Sequence, residues 1–228
     1  MNKLSIIATF TVATSLLATT AYAQTEEDGG IWLGLSLQGN LADTGLNWSA
    51  EIQPRWREEG DKLNQLIIRP ALFYKFDKKS SVWLGYEKVV NHPAGKPTFD
   101  ENRIWQQYSY TFDPINTVTL QNRTRLEERR VNGGRETGLR LRQMLKANKP
   151  LEANPNFSFI LSDEMFLNLN DTDWGVRSGF DQNRLFLGAG YVFNPTVKLE
   201  AGYLNQYVNG AKIDRMNHIL SSSLNISF

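Results

Sequence analysis

The chain has 228 residues, and its 25 Lys and Arg against 24 Asp and Glu give a net charge of +1. This near-neutral balance provides no overall positive field for nucleic acid, so we expect no nucleic-acid partner. Cysteine is absent, which excludes disulfides as a source of stability.

The first 23 residues predict a secretory signal peptide. Lys3 is followed by an apolar stretch from Leu4 to about Leu17, and residues 21–23 (AYA) form an A-x-A cleavage pattern. The alternative is a buried N-terminal helix. Cleavage is expected before Gln24, which leaves residues 24–228 as one exported domain. No later run approaches the roughly 18 apolar residues that a membrane-spanning helix needs.

Segments that alternate between apolar and polar side chains follow along the exported part. Residues 46–56 place Leu46, Trp48 and Ile52 on one face and Glu51 on the other. This pattern predicts an all-β fold, a transmembrane antiparallel outer-membrane β-barrel of ten to twelve strands, with a polar lumen. The predicted strands are 46–56, 63–76, 81–90, 103–112, 117–127, 137–147, 157–167, 182–193, 197–207 and 216–228.

Two segments fit this pattern less well. Residues 31–39 alternate too, but an eleventh strand would put the N-terminus outside, which conflicts with the even strand count of bacterial barrels. This segment either follows a short extra strand near 24–30, giving twelve strands, or lies elsewhere. In 157–167, Asp163 interrupts the outward apolar positions, which predicts a bulge.

The connections between predicted strands alternate in length. Segments such as 77–80, 113–116 and 194–196 are short, whereas 91–101 and 168–181 are longer and richer in Gly and charge. Bacterial barrels have short periplasmic turns and long extracellular loops. The turn 148–156 is an exception, because it falls among the short connections but is nine residues long. The alternative to a membrane barrel is a soluble periplasmic β protein.

Four phenylalanines end the strands that run toward the short turns. The alternation along each strand places all four on the outer face of the barrel. Aromatic rings prefer the headgroup level of a membrane, so these residues predict an interfacial belt and contact with outer-membrane lipid. The last of them is the C-terminal residue, as in the terminal strand that barrels present to the barrel-assembly machinery, which we expect as a partner. The four are Phe76, Phe112, Phe193 and Phe228.

Several stretches together resemble a bacterial family known as domain of unknown function 2490. They are "LIIRPALFYKF", "RIWQQYSYTF", "RTRLEER", "LSDEMFLNLNDTDWGVRSGFDQNRLFLGAGY" and "LNQYVNGAKIDRMNHILS". The resemblance runs from about Ile31 to Phe228. The family is regarded as outer-membrane β-barrel proteins, so the resemblance implies fold and location. It implies no established activity and no catalytic residues.

Charged side chains with inward parity are the candidate functional residues. Eight arginines (55, 69, 103, 123, 125, 140, 142 and 184) face five glutamates (51, 87, 127, 164 and 200), a surplus of three positive charges. One interpretation is a lumen closed by its own ion pairs. The other is a basic, porin-like lumen that binds or passes a small anionic ligand. The ligand-binding candidates are Arg69, Arg103, Arg123, Arg125, Glu127, Arg140, Arg142, Glu164 and Arg184.

Two further patterns carry weaker predictions. Loop 168–181 clusters Asn and Asp oxygens, but it lacks the spacing of a calcium loop, so we predict no metal or other cofactor. His218 has outward parity near the loop end of the last strand, as in outer-leaflet lipid hydrolases. Its same-face serine, Ser222, lies about 14 Å away at strand rise, too far for a nucleophile–base pair. We therefore expect a non-enzymatic protein, either solute-binding or structural in the envelope, with the lipid-modifying hydrolase as the alternative.

Overall fold

The computed structural model describes residues 25–228, which form one closed β-barrel of eleven strands. The predicted signal peptide, residues 1–23, lies outside the described residues. Residues 25–228 contain no α-helix, only two short 3-10 turns. The strands are β1 (Thr25–Asn40), β2 (Leu46–Arg57), β3 (Lys62–Lys75), β4 (Ser80–Asn91), β5 (Phe99–Thr111), β6 (Thr119–Val131), β7 (Gly138–Pro150), β8 (Phe157–Asn168), β9 (Gly179–Asn194), β10 (Val197–Val208) and β11 (Asp214–Ser227).

Within residues 25–228, no helix is long and apolar enough to cross a membrane.

All ten strands predicted from alternation are confirmed, with shifts of a few residues at their ends. Both alternatives for 31–39 are wrong, because that segment is the C-terminal part of the single long strand β1, which begins at Thr25. In a closed barrel with an odd number of strands joined by hairpins, the first and last strands must run in the same direction. β1 accordingly pairs in parallel with β11, from Thr25 opposite Asp214 to Gln38 opposite Ser227.

This closure puts the two ends of the described chain at opposite rims. Thr25 lies at the rim of the connections 58–61, 92–98, 132–137, 169–178 and 209–213, called here the loop rim. Phe228 lies at the other rim, called here the turn rim. The difference in connection length is smaller than predicted, because β5, β6 and β7 extend into segments predicted as loops or turns. The exception 148–156 shrinks to 151–156.

The predicted bulge at Asp163 is wrong. Asp163 pairs in regular register with Leu145 on β7 and Leu185 on β9. The irregularity in β8–β9 pairing falls between Phe166 and Leu167 instead. Asp163 therefore points outward, where its carboxylate accepts a hydrogen bond from Asn183 Nδ2 at 2.7 Å.

The two faces of the wall differ as the alternation predicts. Large apolar side chains lie exposed on the outside, including Leu72, Leu84 and Leu220. The inside holds buried charged and polar groups together with a smaller set of apolar side chains, such as Phe166 and Ile219. The core of this fold is therefore the filled lumen, as expected for a narrow barrel.

Candidate functional site: the charged lumen

A row of alternating charges, called here the β2–β6 row, crosses one half of the lumen. Glu87 lies at its middle with no solvent exposure and accepts hydrogen bonds from both Arg69 and Arg103. Arg69 also donates to Glu51 at 2.7 Å. Three carboxylates alternate with three guanidinium groups, so the row is formally neutral. Its members in order are Glu51, Arg69, Glu87, Arg103, Glu101 and Arg129.

A second row, called here the β6–β9 row, crosses the other half. Glu127 is fully buried and accepts from Arg140 Nε and Nη2 at 2.9 and 2.6 Å and from Arg142 Nη1 at 2.6 Å. Glu164 accepts from Arg142 Nε at 2.9 Å and from Arg123 Nη2 at 2.6 Å. This row is also neutral. Its members in order are Asp181, Arg140, Glu127, Arg142, Glu164 and Arg123.

The two rows run between two cavities that share no lining residue. A cavity of about 460 Å³ lies toward the turn rim, and a cavity of about 800 Å³ lies toward the loop rim. The buried carboxylates Glu87, Glu127 and Glu164 line neither cavity. Because each charge in the rows has an opposite neighbour within hydrogen-bonding reach, the rows satisfy the requirement that buried charges be paired.

Three inward arginines remain outside the rows. Arg125 donates to the neutral amide oxygen of Gln107 at 2.9 and 2.6 Å, and its Nη1 lies 4.0 Å from Glu127 without a hydrogen bond. Arg55 and Arg184 have no carboxylate within 4.0 Å among residues 25–228. None of these three arginines donates a hydrogen bond to a carboxylate among residues 25–228, although Glu127 lies 4.0 Å from Arg125 and Glu164 lies opposite Arg184 on the neighbouring strand.

Arg55 and Arg184 meet at Trp32. The Cζ atoms of the two guanidinium groups lie 3.8 and 4.9 Å from the centroid of the indole, and Arg184 also lies 4.5 Å from the ring of Phe166. Arg55 donates to the amide oxygens of Gln53 and Gln65. Arg184 makes no hydrogen bond within the described residues, and its Nε is buried without a partner. Two guanidinium groups therefore lie on one indole, and neither forms an ion pair with a carboxylate among residues 25–228.

Both of these arginines line the loop-rim cavity, whose composition is strongly basic and amide-rich. Seven arginines and two carboxylates line it, a formal surplus of five positive charges. Nine Asn and Gln side chains contribute polar groups without charge. Among them, Gln206 donates to Gln182 at 2.6 Å and accepts from Asn217 at 3.1 Å. Asn168 is buried, and its Oδ1 has no hydrogen-bond partner.

The wall of this cavity at the rim is built by two connections that hold each other. Asp173 accepts hydrogen bonds from the backbone N–H groups of Arg135 and Glu136, at 3.1 and 3.2 Å, and these bonds, the one from Arg135 most of all, hold the pKa of its carboxyl below the ordinary value. Trp174 Nε1 donates to the Glu136 carbonyl at 2.9 Å. The indole packs where a Cβ on Gly134 would clash at 2.6 Å.

The oxygens of this segment are therefore already engaged. Asp171 accepts the Ser178 N–H at 2.6 Å, a bond that lowers the pKa of Asp171, and Asn170 accepts the Leu139 N–H at 2.7 Å. Residues 25–228 contain no group of three or more His, Cys, Asp or Glu arranged to hold a metal ion. The side chains here organise the backbone of the loop.

The histidine considered for lipid hydrolysis has other partners. His218 Nδ1 lies 2.5 Å from the Tyr203 hydroxyl, and its Nε2 lies 3.8 Å from the Glu27 carboxylate, on the outer wall near the loop rim. No serine hydroxyl contacts His218 within the described residues. The arrangement lacks the nucleophile–base hydrogen bond that the hydrolase alternative requires.

The nine predicted ligand-binding residues separate into distinct groups. Seven belong to the two neutral rows, whereas Arg125 lies on the turn-rim side and Arg184 on the loop-rim side. Sequence reasoning missed Trp32, which lies in residues 31–39, the segment whose position in the barrel the sequence left open. It also missed Glu101, Arg129 and Asp181, which lay beyond or at the ends of the predicted strands; extending the alternation by two residues finds Glu101 and Arg129.

Comparisons with known proteins agree with a single uncharacterised family. A family model described as "Protein of unknown function (DUF2490)" matches residues 29–217. A protein of Methylorubrum extorquens AM1, described as uncharacterized, is 34% identical over 220 residues, which cover 93% of this chain and 94% of that protein. No solved structure matches the chain.

Proposed function

The chain belongs to the family of unknown function DUF2490, and from that premise we propose that it is an outer-membrane β-barrel that binds a small anionic solute in its loop-rim cavity and forms no open pore. The single observation that carries this proposal is the pair Arg55 and Arg184. They stack on Trp32 beside a cavity of about 800 Å³, and neither forms an ion pair with a carboxylate among residues 25–228. Forked guanidinium groups suit carboxylate or phosphate.

The outer surface supports placement in a membrane. Exposed Leu and Ile side chains cover the wall between the rims. Apolar surface of this extent is unfavourable in water and is typical of a surface that contacts lipid or another protein. At the turn rim, Phe76, Phe112, Phe193 and Phe228 are all more than two-fifths exposed. Three of them pack edge-on against a tyrosine on the same strand or its extension. An amphipathic aromatic rim of this kind suits the lipid headgroup level.

The polar rows support a closed lumen. Each arginine in them is held by at least one carboxylate, most of them at 2.6–3.0 Å. Opening a path for solutes would separate buried ion pairs, which costs several kcal/mol per pair. The loop-rim cavity is therefore a binding compartment with a closed floor.

Membrane placement is tested by labelling single cysteines in intact cells with a membrane-impermeant maleimide. Glu26→Cys and Lys96→Cys lie exposed at the loop rim, and Lys78→Cys lies exposed at the turn rim. We expect labelling of the first two and not the third, with a heat-modifiable band on gels for all three. Equal labelling at both rims, or recovery in the soluble periplasmic fraction, would overturn the outer-membrane proposal.

Binding and closure are tested on the folded protein in detergent and in planar bilayers. We expect heat of binding with inorganic phosphate or acetate that weakens in Arg55→Gln/Arg184→Gln, together with no stepwise conductance. Stepwise currents from the wild-type protein would contradict the closed lumen. Absence of binding to any anion tested would leave the barrel with an envelope-structural role and refute the solute-binding proposal.

A further inference from the structure

We propose that the anionic solute is an acidic sugar: a small molecule that carries one carboxylate or phosphate and several hydroxyl groups. This inference rests on the proposed anion-binding function of the loop-rim cavity and names its ligand class. It combines two observations in the same cavity, unneutralised arginines and a wall crowded with amide side chains.

The charged group of the ligand is assigned to Arg184. A guanidinium has five N–H donors, and Arg184 uses none of them within the described residues. Its faces contact the rings of Trp32 and Phe166 at 4.9 and 4.5 Å, which fixes its position without occupying its donors. Arg55, on the same indole, adds a second positive charge. A single acidic group near both compensates the repulsion between them.

The hydroxyl groups are assigned to the amides. Nine Asn and Gln side chains line the cavity, and an amide both donates and accepts, as does a sugar hydroxyl. The Oδ1 of buried Asn168 lacks a donor, whereas the Nε of Arg184 lacks an acceptor. A simple anion satisfies Arg184 and leaves Asn168 without a partner. A hydroxylated anion pairs with both atoms. It should bind more tightly than a simple anion, because an unpaired buried polar atom is costly.

The cavity toward the turn rim does not offer the same combination. Three of its four basic lining residues, Arg69, Arg123 and Lys146, have a carboxylate within 2.8 Å. The fourth, Arg125, donates two hydrogen bonds to Gln107 and lies 4.0 Å from Glu127, so more of its N–H groups are engaged than those of Arg184. Its remaining polar lining is rich in serine. The size of the loop-rim cavity, about 800 Å³, lies within the range of roughly 300–1,000 Å³ that holds small-molecule ligands.

Titration calorimetry of the full-length protein, folded in detergent, tests the inference with five probes. D-glucuronate and D-glucose 6-phosphate combine an acidic group with hydroxyls and differ in the acid. Acetate and inorganic phosphate lack the sugar, and D-glucose lacks the charge. We expect at least one acidic sugar to bind about tenfold or more tightly than the matching simple anion, and glucose to bind more weakly than either.

The outcomes separate the two proposals. Simple anions that bind as tightly as the acidic sugars overturn the ligand class and leave anion binding intact. Glucose that binds as tightly as glucuronate overturns the role of Arg184. Failure of all four anions refutes the anion-binding function, and the ligand class with it.

Matched variants locate the site. Arg184→Gln is expected to weaken binding of the acidic sugar by about tenfold to a hundredfold, the range for a lost charge-assisted hydrogen bond. The control Arg130→Gln removes the same charge from an exposed side chain that bonds Thr137 outside the cavity, and is expected to change nothing. Asn168→Leu is expected to weaken the acidic sugar but not acetate. Equal loss in Arg130→Gln, or equal loss of both ligands in Asn168→Leu, contradicts the assignment, with heat-modified gel mobility used to verify folding.

Discussion

Removing the charge of Glu127 is the sharpest test of the lumen as a folding core. Glu127 is fully buried and accepts three hydrogen bonds from Arg140 and Arg142. In Glu127→Gln, the amide keeps one acceptor, but its NH2 faces a guanidinium. Arg140 keeps its ion pair with Asp181 at 3.0 Å, and Arg142 keeps its ion pair with Glu164 at 2.8 Å. The loss of stability should therefore lie at the low end of the range for a broken buried ion pair. We expect a decrease of about 3 kcal/mol in the free energy of unfolding.

The neighbouring residue provides the matched control. Glu128 has the same side chain but points outward, where it accepts one weak hydrogen bond from Gln106 at 3.4 Å. Glu128→Gln should therefore change the free energy of unfolding by less than about 0.5 kcal/mol. Equilibrium urea unfolding of the barrel in lipid vesicles, followed by tryptophan fluorescence, measures both. Equal effects of the two substitutions would refute the inward network as the source of stability. Adding Arg125→Gln to Glu127→Gln should recover part of the loss, because Arg125 then no longer adds an uncompensated charge.

Two further predictions concern other parts of the barrel. In Gly85→Ala, the new Cβ would lie 2.2 Å from the ring of buried Trp105, so we expect a destabilisation of about 1–3 kcal/mol in the same urea assay, and an unchanged midpoint would contradict the packing. Asp173 has a pKa below its ordinary value, so its bonds to the 132–137 connection persist at neutral pH and are lost only as the pH falls below about 4 through that lowered value. Amide exchange of residues 132–137, corrected for the intrinsic rate, should rise there, whereas Asp173→Asn should remove that pH dependence; a pH dependence that persists in the variant would contradict it.

Alternation predicted most of the fold because a barrel wall imposes the same period of two on every strand. The inward parity of Arg123, Arg125 and Glu127 follows from that period alone. The pairing of Arg123 with Glu164 does not, because they lie on β6 and β8 and meet only through the curvature and stagger of the closed wall. The strand β1 was misplaced for a related reason. β1 pairs in parallel with β11, the last strand, so no hairpin turn connects the two. The sequence therefore contains no turn residues that would indicate this pairing.

The alternation along the strands gave a positive surplus in the lumen but could not locate it. It gave three more arginines than glutamates, and the three that stand outside the ion-pair rows are Arg55, Arg125 and Arg184. Each stacks on an aromatic ring: Arg125 lies 4.0 Å from Trp105, and the other two lie on Trp32. A ring face attracts a cation without accepting its N–H groups. Aromatic stacking therefore holds these arginines in the lumen and leaves the N–H groups of Arg184, on the loop-rim side, without a hydrogen-bond partner among residues 25–228.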